Sequence, residues 1–113
     1  MVTAVRLDIN EIKTRFPNPQ RCQDDGLPNP VGYCVGGAFL MYLTGVQESP
    51  DGNTRYPIEE HLVPALQNAN PTLSEERAEI LVVELLTEND NGNFDRAWEI
   101  LEELLYSDFS DAA

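Results

Sequence analysis

Lysine is almost missing from this chain: of its seven basic residues only Lys13 is a lysine, and 20 acidic residues oppose them, for a formal net charge of −13. Such a balance repels nucleic acid phosphates and anionic membrane surfaces, so neither direct nucleic acid binding nor membrane binding is expected. Histidine occurs once, as His61, and cysteine twice, as Cys22 and Cys34. The separations of these three soft ligands match no zinc pattern, in which ligands pair about two to five residues apart, so no metal is expected. A Cys/His hydrolase needs a thiol whose pKa is lowered by a nearby base. Cys34 lies in an apolar run instead, which places that chemistry third behind two non-catalytic readings; no catalytic residue and no cofactor is expected. Gly36 and Gly37 fall inside the same run rather than ahead of a helix, so they do not make a phosphate-binding loop. No segment alternates with period two for long enough to argue a strand. No apolar stretch approaches the about 18 residues of a membrane span, and Met1 to Asp8 lacks the roughly 7–15-residue apolar core of an export signal. A cytoplasmic location is therefore expected, with the cysteines as thiols and a Cys22–Cys34 bridge as the alternative.

What remains is helix-forming sequence, in a chain whose 113 residues suit a single domain spanning 1–113. Val31 to Leu43 contains no charge and reads as the central buried helix. Asn29 is placed to cap it, Pro30 fits its first position, and Gly45 supplies a left-handed stop. Cys34, Gly37, Ala38 and Met41 fall at i, i+3, i+4 and i+7, a stripe of mostly small side chains that admits a close neighbour. A rod that is apolar on every side must be covered on every side.

The other elements follow from period and punctuation. Asp8 with Glu11 predicts the start of a short helix over 9–16, with Ile9, Ile12 and Phe16 inward, stopped by Pro17. The Pro-rich segment 17–30 reads as a loop. A further turn is expected at Pro50-Asp51-Gly52-Asn53. Pro57 opens a pattern of Ile58, Leu62, Ala65, Leu66 and Ala69 that contains Pro64, so a break or kink is expected near Val63. Thr72-Leu73-Ser74-Glu75 has capping-box spacing. Ala78, Leu81, Val82, Leu85 and Leu86 follow at 0, +3, +4, +7 and +8, with Ile80 and Val83 widening the apolar face. Asn89 to Asn93 reads as a turn, after which Phe94, Ala97, Trp98, Leu101, Leu104 and Leu105 line another stripe. Segment 73–106 is thus an antiparallel helix hairpin, and 107–113 an acidic tail that frays, with Phe109 able to fold back. The fold class is all-α, about five helices around the central apolar one.

Thr87 to Phe94 invites comparison with a calcium loop, but setting Gly92 at the loop's sixth position puts Thr87 and Trp98 where an acidic residue and a Glu are required. Tyr33-Cys34-Val35-Gly36-Gly37-Ala38 together with Asn89-Asp90 resembles a family of small, uncharacterised bacterial helical proteins. Its pattern is a Cys-x-x-Gly-Ala helix in the first half and, in the second, an Asn-Asp turn followed by an amphipathic helix. The resemblance spans roughly residues 20–105. It implies a helical fold order and, the family having no assigned activity, no catalytic residues.

Charge is the most informative feature left. Residues 1–56 hold six acidic and five basic side chains, a balance of −1, whereas residues 57–113 hold fourteen and two, a balance of −12. Glu75/Glu79, Glu84/Glu88, Asp95/Glu99 and Glu99/Glu103 are like-charge pairs at i, i+4, each costing an isolated helix roughly 0.2–0.5 kcal/mol. Only Arg96, three before Glu99, offsets them. A solvated face or a high-salt adaptation is the plain account. The functional one is a non-catalytic protein that binds a basic macromolecule, either a nucleic-acid-binding protein or a basic toxin. The binding residues would be Glu84, Glu88, Asp95, Glu99, Glu102 and Glu103, which lie off the apolar stripes. The alternative is a small-ligand-binding or oligomeric structural protein that uses loop 17–30; homo-oligomerisation is compatible with either.

Overall fold

The computed structural model describes residues 8–21, 33–45 and 55–109, and among these residues there are five helices. They are α1 (Ile9–Arg15), α2 (Val35–Thr44), α3 (Arg55–Ala69), α4 (Glu75–Asp90) and α5 (Phe94–Tyr106), with no strand among the described residues. The all-α class expected from the periodicities is the observed one. α4 lies between α3 and α5 and packs along both; α2 crosses against all three, and α1 rests on α2.

α2 is shorter than the uncharged run that encodes it. Tyr33 and Cys34 are not helical, and the N-cap is Cys34, whose Sγ accepts the Gly37 N–H at 3.2 Å. The expected cap at Asn29 and first position at Pro30 lie outside the described residues. Cys34 is fully buried, but as a cap rather than as a residue within the helix. The stop is where glycine chemistry places it: Gly45 has φ 76° and its N–H donates to the Met41 carbonyl. Val35 to Met41 are all buried, while Leu43 is exposed, so the covering ends one turn before the helix does.

A close approach falls at Gly36, next to the expected stripe. A Cβ there would stand 2.6 Å from Leu62 Cδ1, 3.3 Å from Ile58 Cγ2 and 3.4 Å from Leu86 Cδ2, three fully buried side chains of α3 and α4. Hydrogen at this position is what lets α2 cross its neighbours.

α1 begins at Asp8 as expected, its carboxylate accepting the Asn10 N–H. Tyr42 of α2 is clasped by α1: its hydroxyl donates to Glu11 Oε2 at 2.8 Å and its ring lies 5.5 Å from the Arg15 guanidinium. The Ile9 N–H donates to the Tyr106 hydroxyl, which ties α1 to the end of α5. α3 is one helix through Pro64, so the chain does not break near Val63.

Three boundaries of the hairpin differ from the sequence reading. Ser74, not Thr72, caps α4, accepting the Arg77 N–H. Asn89 and Asp90 belong to α4 rather than to the turn. The turn is the tighter Asn91-Gly92-Asn93, where Gly92 has φ 83° and the Asn93 and Gly92 N–H groups donate to the Glu88 and Asn89 carbonyls. The tail does not fray through 109: the Phe109 N–H donates to Thr72 Oγ1 and Phe109 packs on the core. Residues 110–113 lie outside the described residues, as does the turn expected at 50–53.

Two buried asparagines close the fold. Asn70, just past α3, donates from Nδ2 to the Leu104 and Ser107 carbonyls at the end of α5, while its Oδ1 accepts from Thr72. Asn89, in the last turn of α4, accepts the Val35 N–H at 3.0 Å and donates to the Gln20 carbonyl at 3.0 Å. Each places its amide at the open end of a different helix, where backbone groups have no intrahelical partner.

Candidate functional site

The last two helices carry their carboxylates on one broad outer side. On α5, Ala97, Trp98, Ile100, Leu101, Leu104 and Leu105 are buried, which leaves Asp95, Glu99, Glu102 and Glu103 together on the opposite face, all exposed. The strong amphipathicity of this helix is what aims them. On α4, Glu84 is exposed and Glu88 half-buried, one turn apart on the flank next to α5.

Arg96 joins the two helices. Its guanidinium stands 3.5 Å from Glu84 Oε1 and 3.7 Å from Glu99 Oε2, with side chains about half exposed to water. Exposed pairs of this kind contribute about 0–1 kcal/mol each, so Arg96 adds little to the stability of the fold. Glu99, Glu102 and Glu103 line one shallow groove of about 380 Å³ with Arg96, Tyr106 and Ser107. Of the six residues selected from the sequence, three therefore share that groove and Glu84 is linked to it through Arg96. Glu88 and Asp95 lie apart from it.

A second, larger groove, of about 540 Å³, opens between α3 and α4. Val63, Pro64 and Val83 form its apolar part, and Glu59, Glu60, Glu75 and Glu79 its rim. Sequence reading missed it because Ile80 and Val83 are expected in the core. They are 58 % and 44 % exposed, whereas Ala78, Val82 and Leu86 on the neighbouring flank of α4 are fully buried. The available signal was Pro64: a proline inside a helix leaves the carbonyl four residues back, that of Glu60, without its usual donor.

Remaining candidates separate. His61 is exposed on α3, whereas Cys34 is fully buried at the start of α2. Cys22 and most of loop 17–30 lie outside the described residues; the described part docks on Tyr33, whose carbonyl accepts from Gln20 and whose ring meets Phe16 edge-on at 5.2 Å. Among the described residues no group of three or more His, Cys, Asp or Glu side chains is placed to hold a metal ion, and no helix is long and apolar enough to cross a membrane. No family model, no curated protein and no solved structure matches this chain.

Proposed function

We propose that this is a non-catalytic acidic protein that binds a basic protein partner through the outer side of α4 and α5. The observation that supports the reading is the −12 balance of residues 57–113, combined with the exposure of Glu84, Asp95, Glu99, Glu102 and Glu103 on two helices held rigidly by their buried stripes. Carboxylates one turn apart repel each other, by roughly 0.2–0.5 kcal/mol per pair, and a cationic partner turns that repulsion into attraction. Fixed negative rows about 6 Å apart present the charge pattern that basic nucleic-acid-binding proteins accept from a phosphate backbone. They also complement the surface of a basic toxin. Association is then steered by long-range attraction and weakens steeply as salt screens it.

The test is capture from native cell extract at low and then moderate salt, with wild type beside a protein carrying Glu99→Lys and Glu103→Lys. Partners are expected on wild type at low salt, to be lost as salt rises, and to be missing from the reversed protein. A reversed protein that retains every partner refutes the reading and leaves the face merely solvated.

A further inference from the structure

We infer that the groove between α3 and α4 seats the apolar side of a basic amphipathic helix presented by the partner protein; this rests on the basic-partner reading and adds to it a site and a shape. Its floor is Val63, Pro64 and Val83, with glutamates on both walls: Glu59 and Glu60 from α3, Glu75 and Glu79 from α4. Among the described residues no lysine or arginine lines it. The apolar surface does not stop at the edge, because Ile80 lies one turn from Val83 on the outer crest of α4 and is 58 % exposed. Two branched aliphatic side chains at i, i+3 thus lie in water, and the fold around them is complete without their burial.

The chemistry selects the occupant. A nucleic acid or an anionic lipid surface meets four carboxylates at the rim and is repelled. A second copy of this chain brings the same rim to the same rim and carries −13 of its own. A flexible polybasic segment satisfies the carboxylates but leaves the floor wet. A small organic ligand needs an enclosing cleft with a few fixed polar groups, and here the polar groups are all of one sign and the groove lies open. A basic amphipathic helix satisfies both parts: side chains at i, i+3, i+4 and i+7 cover Val63, Pro64, Val83 and Ile80, and lysines or arginines beside that stripe reach the two glutamate walls.

The test uses the full chain and two synthetic peptides of identical Leu/Lys composition, one patterned as an amphipathic helix and one scrambled so that no apolar stripe forms. At moderate salt the patterned peptide is expected to bind at least about tenfold more tightly than its scrambled isomer, by fluorescence anisotropy. The double variant Ile80→Gln with Val83→Gln, shown by circular dichroism to keep its helices, is expected to erase that preference. Reversal of Glu99 and Glu103, which belong to the basic-partner face, is expected to weaken both peptides alike without changing their ratio. Equal binding of the two peptides, lost on reversal of Glu99 and Glu103 and indifferent to the groove variant, overturns the groove while the basic-partner reading stands. Binding of neither peptide at low salt overturns both. Displacement of the patterned peptide by an equal concentration of spermine overturns the helical occupant in favour of a small polycation.

Discussion

Replacing Asn89 by alanine is the perturbation that most directly tests how this fold is held closed. Asn89 is fully buried, and its Oδ1 is the acceptor for the Val35 N–H, one of the donors at the start of α2 that no helical carbonyl can reach. Alanine leaves that N–H buried and unpaired, a penalty of about 1–3 kcal/mol. The Nδ2 bond to the Gln20 carbonyl is only partly buried, so water takes over there and the net loss is about 0.5–1.5 kcal/mol. Together the variant should lose about 2–4 kcal/mol from a total of about 5–15 kcal/mol, remaining folded but melting about 8–16 °C lower. The assay is urea and thermal unfolding followed by circular dichroism. Asn93→Ala serves as the control, because Asn93 caps α5 without any side-chain hydrogen bond and its replacement should stay within about 0.5 kcal/mol. Amide hydrogen exchange adds a local readout, since the Val35 amide should lose protection in Asn89→Ala. A loss smaller than about 1 kcal/mol, or equal losses in the two variants, would refute the reasoning.

Gly36→Ala should destabilise by about 1 kcal/mol although helix propensity alone favours alanine, because the new methyl meets the buried Leu62, Ile58 and Leu86; a raised urea midpoint would show that the crossing has slack. Glu103→Lys should raise stability by about 0.5 kcal/mol, since it removes one repulsion and places Lys four residues after Glu99 in the favoured order; an unchanged or lower melting temperature counts against it. The Tyr42 phenol should deprotonate above its ordinary value of about 10, chiefly through the hydrogen bond it donates to Glu11. The stabilisation from that contact is complete below the unfolded value and disappears as pH rises through the folded one. Ultraviolet titration should show a late tyrosine step that is absent in Tyr42→Phe and moves earlier in Glu11→Gln. In a Cys22→Ser background, Cys34 should resist iodoacetamide until the protein unfolds, being fully buried behind α2; rapid native labelling would reopen thiol chemistry.

The hairpin was the most legible part of the fold because its stripes are long and regular. Ala78, Val82, Leu85 and Leu86 of α4 and Ala97, Trp98, Leu101, Leu104 and Leu105 of α5 are all buried as their spacing predicts. What periodicity does not carry is which flank of a stripe a neighbour covers. Ile80 and Val83 look like core from spacing, and only the position of α3 decides that they face water. Caps misled for a related reason: Thr72 and Asn29 have the right chemistry in the right neighbourhood, but Ser74 and Cys34 stand where the backbone turns. The asparagine ties were hidden further, since Val35 and Gln20 lie 54 and 69 positions from Asn89. The clue was that Asn89 continues the apolar stripe of α4, four residues after Leu85 and three after Leu86. A polar side chain on a buried face has to find a partner there. Five of the six acidic candidates were legible as exposed from the same stripes, Glu88 being half-buried, whereas the link that Arg96 makes between Glu84 and Glu99 depends on how α4 and α5 align.

The reach of Asn89 across the chain also sets a timetable for synthesis. α2 is made early, yet the amide that completes its first turn is added 54 residues later, about 3–10 s at about 5–20 residues per second. Throughout that interval a helix whose residues 35–41 are destined for burial has its end unsatisfied; α3 is added on the way, but the α4 surface is complete only at its close. Nascent α2 is thus the segment on which a chaperone would act, and its exposure ends only when α4 has emerged in full. A message cut short before codon 89 yields a chain whose most apolar stretch lacks both the end of α4 and the amide that satisfies its first turn.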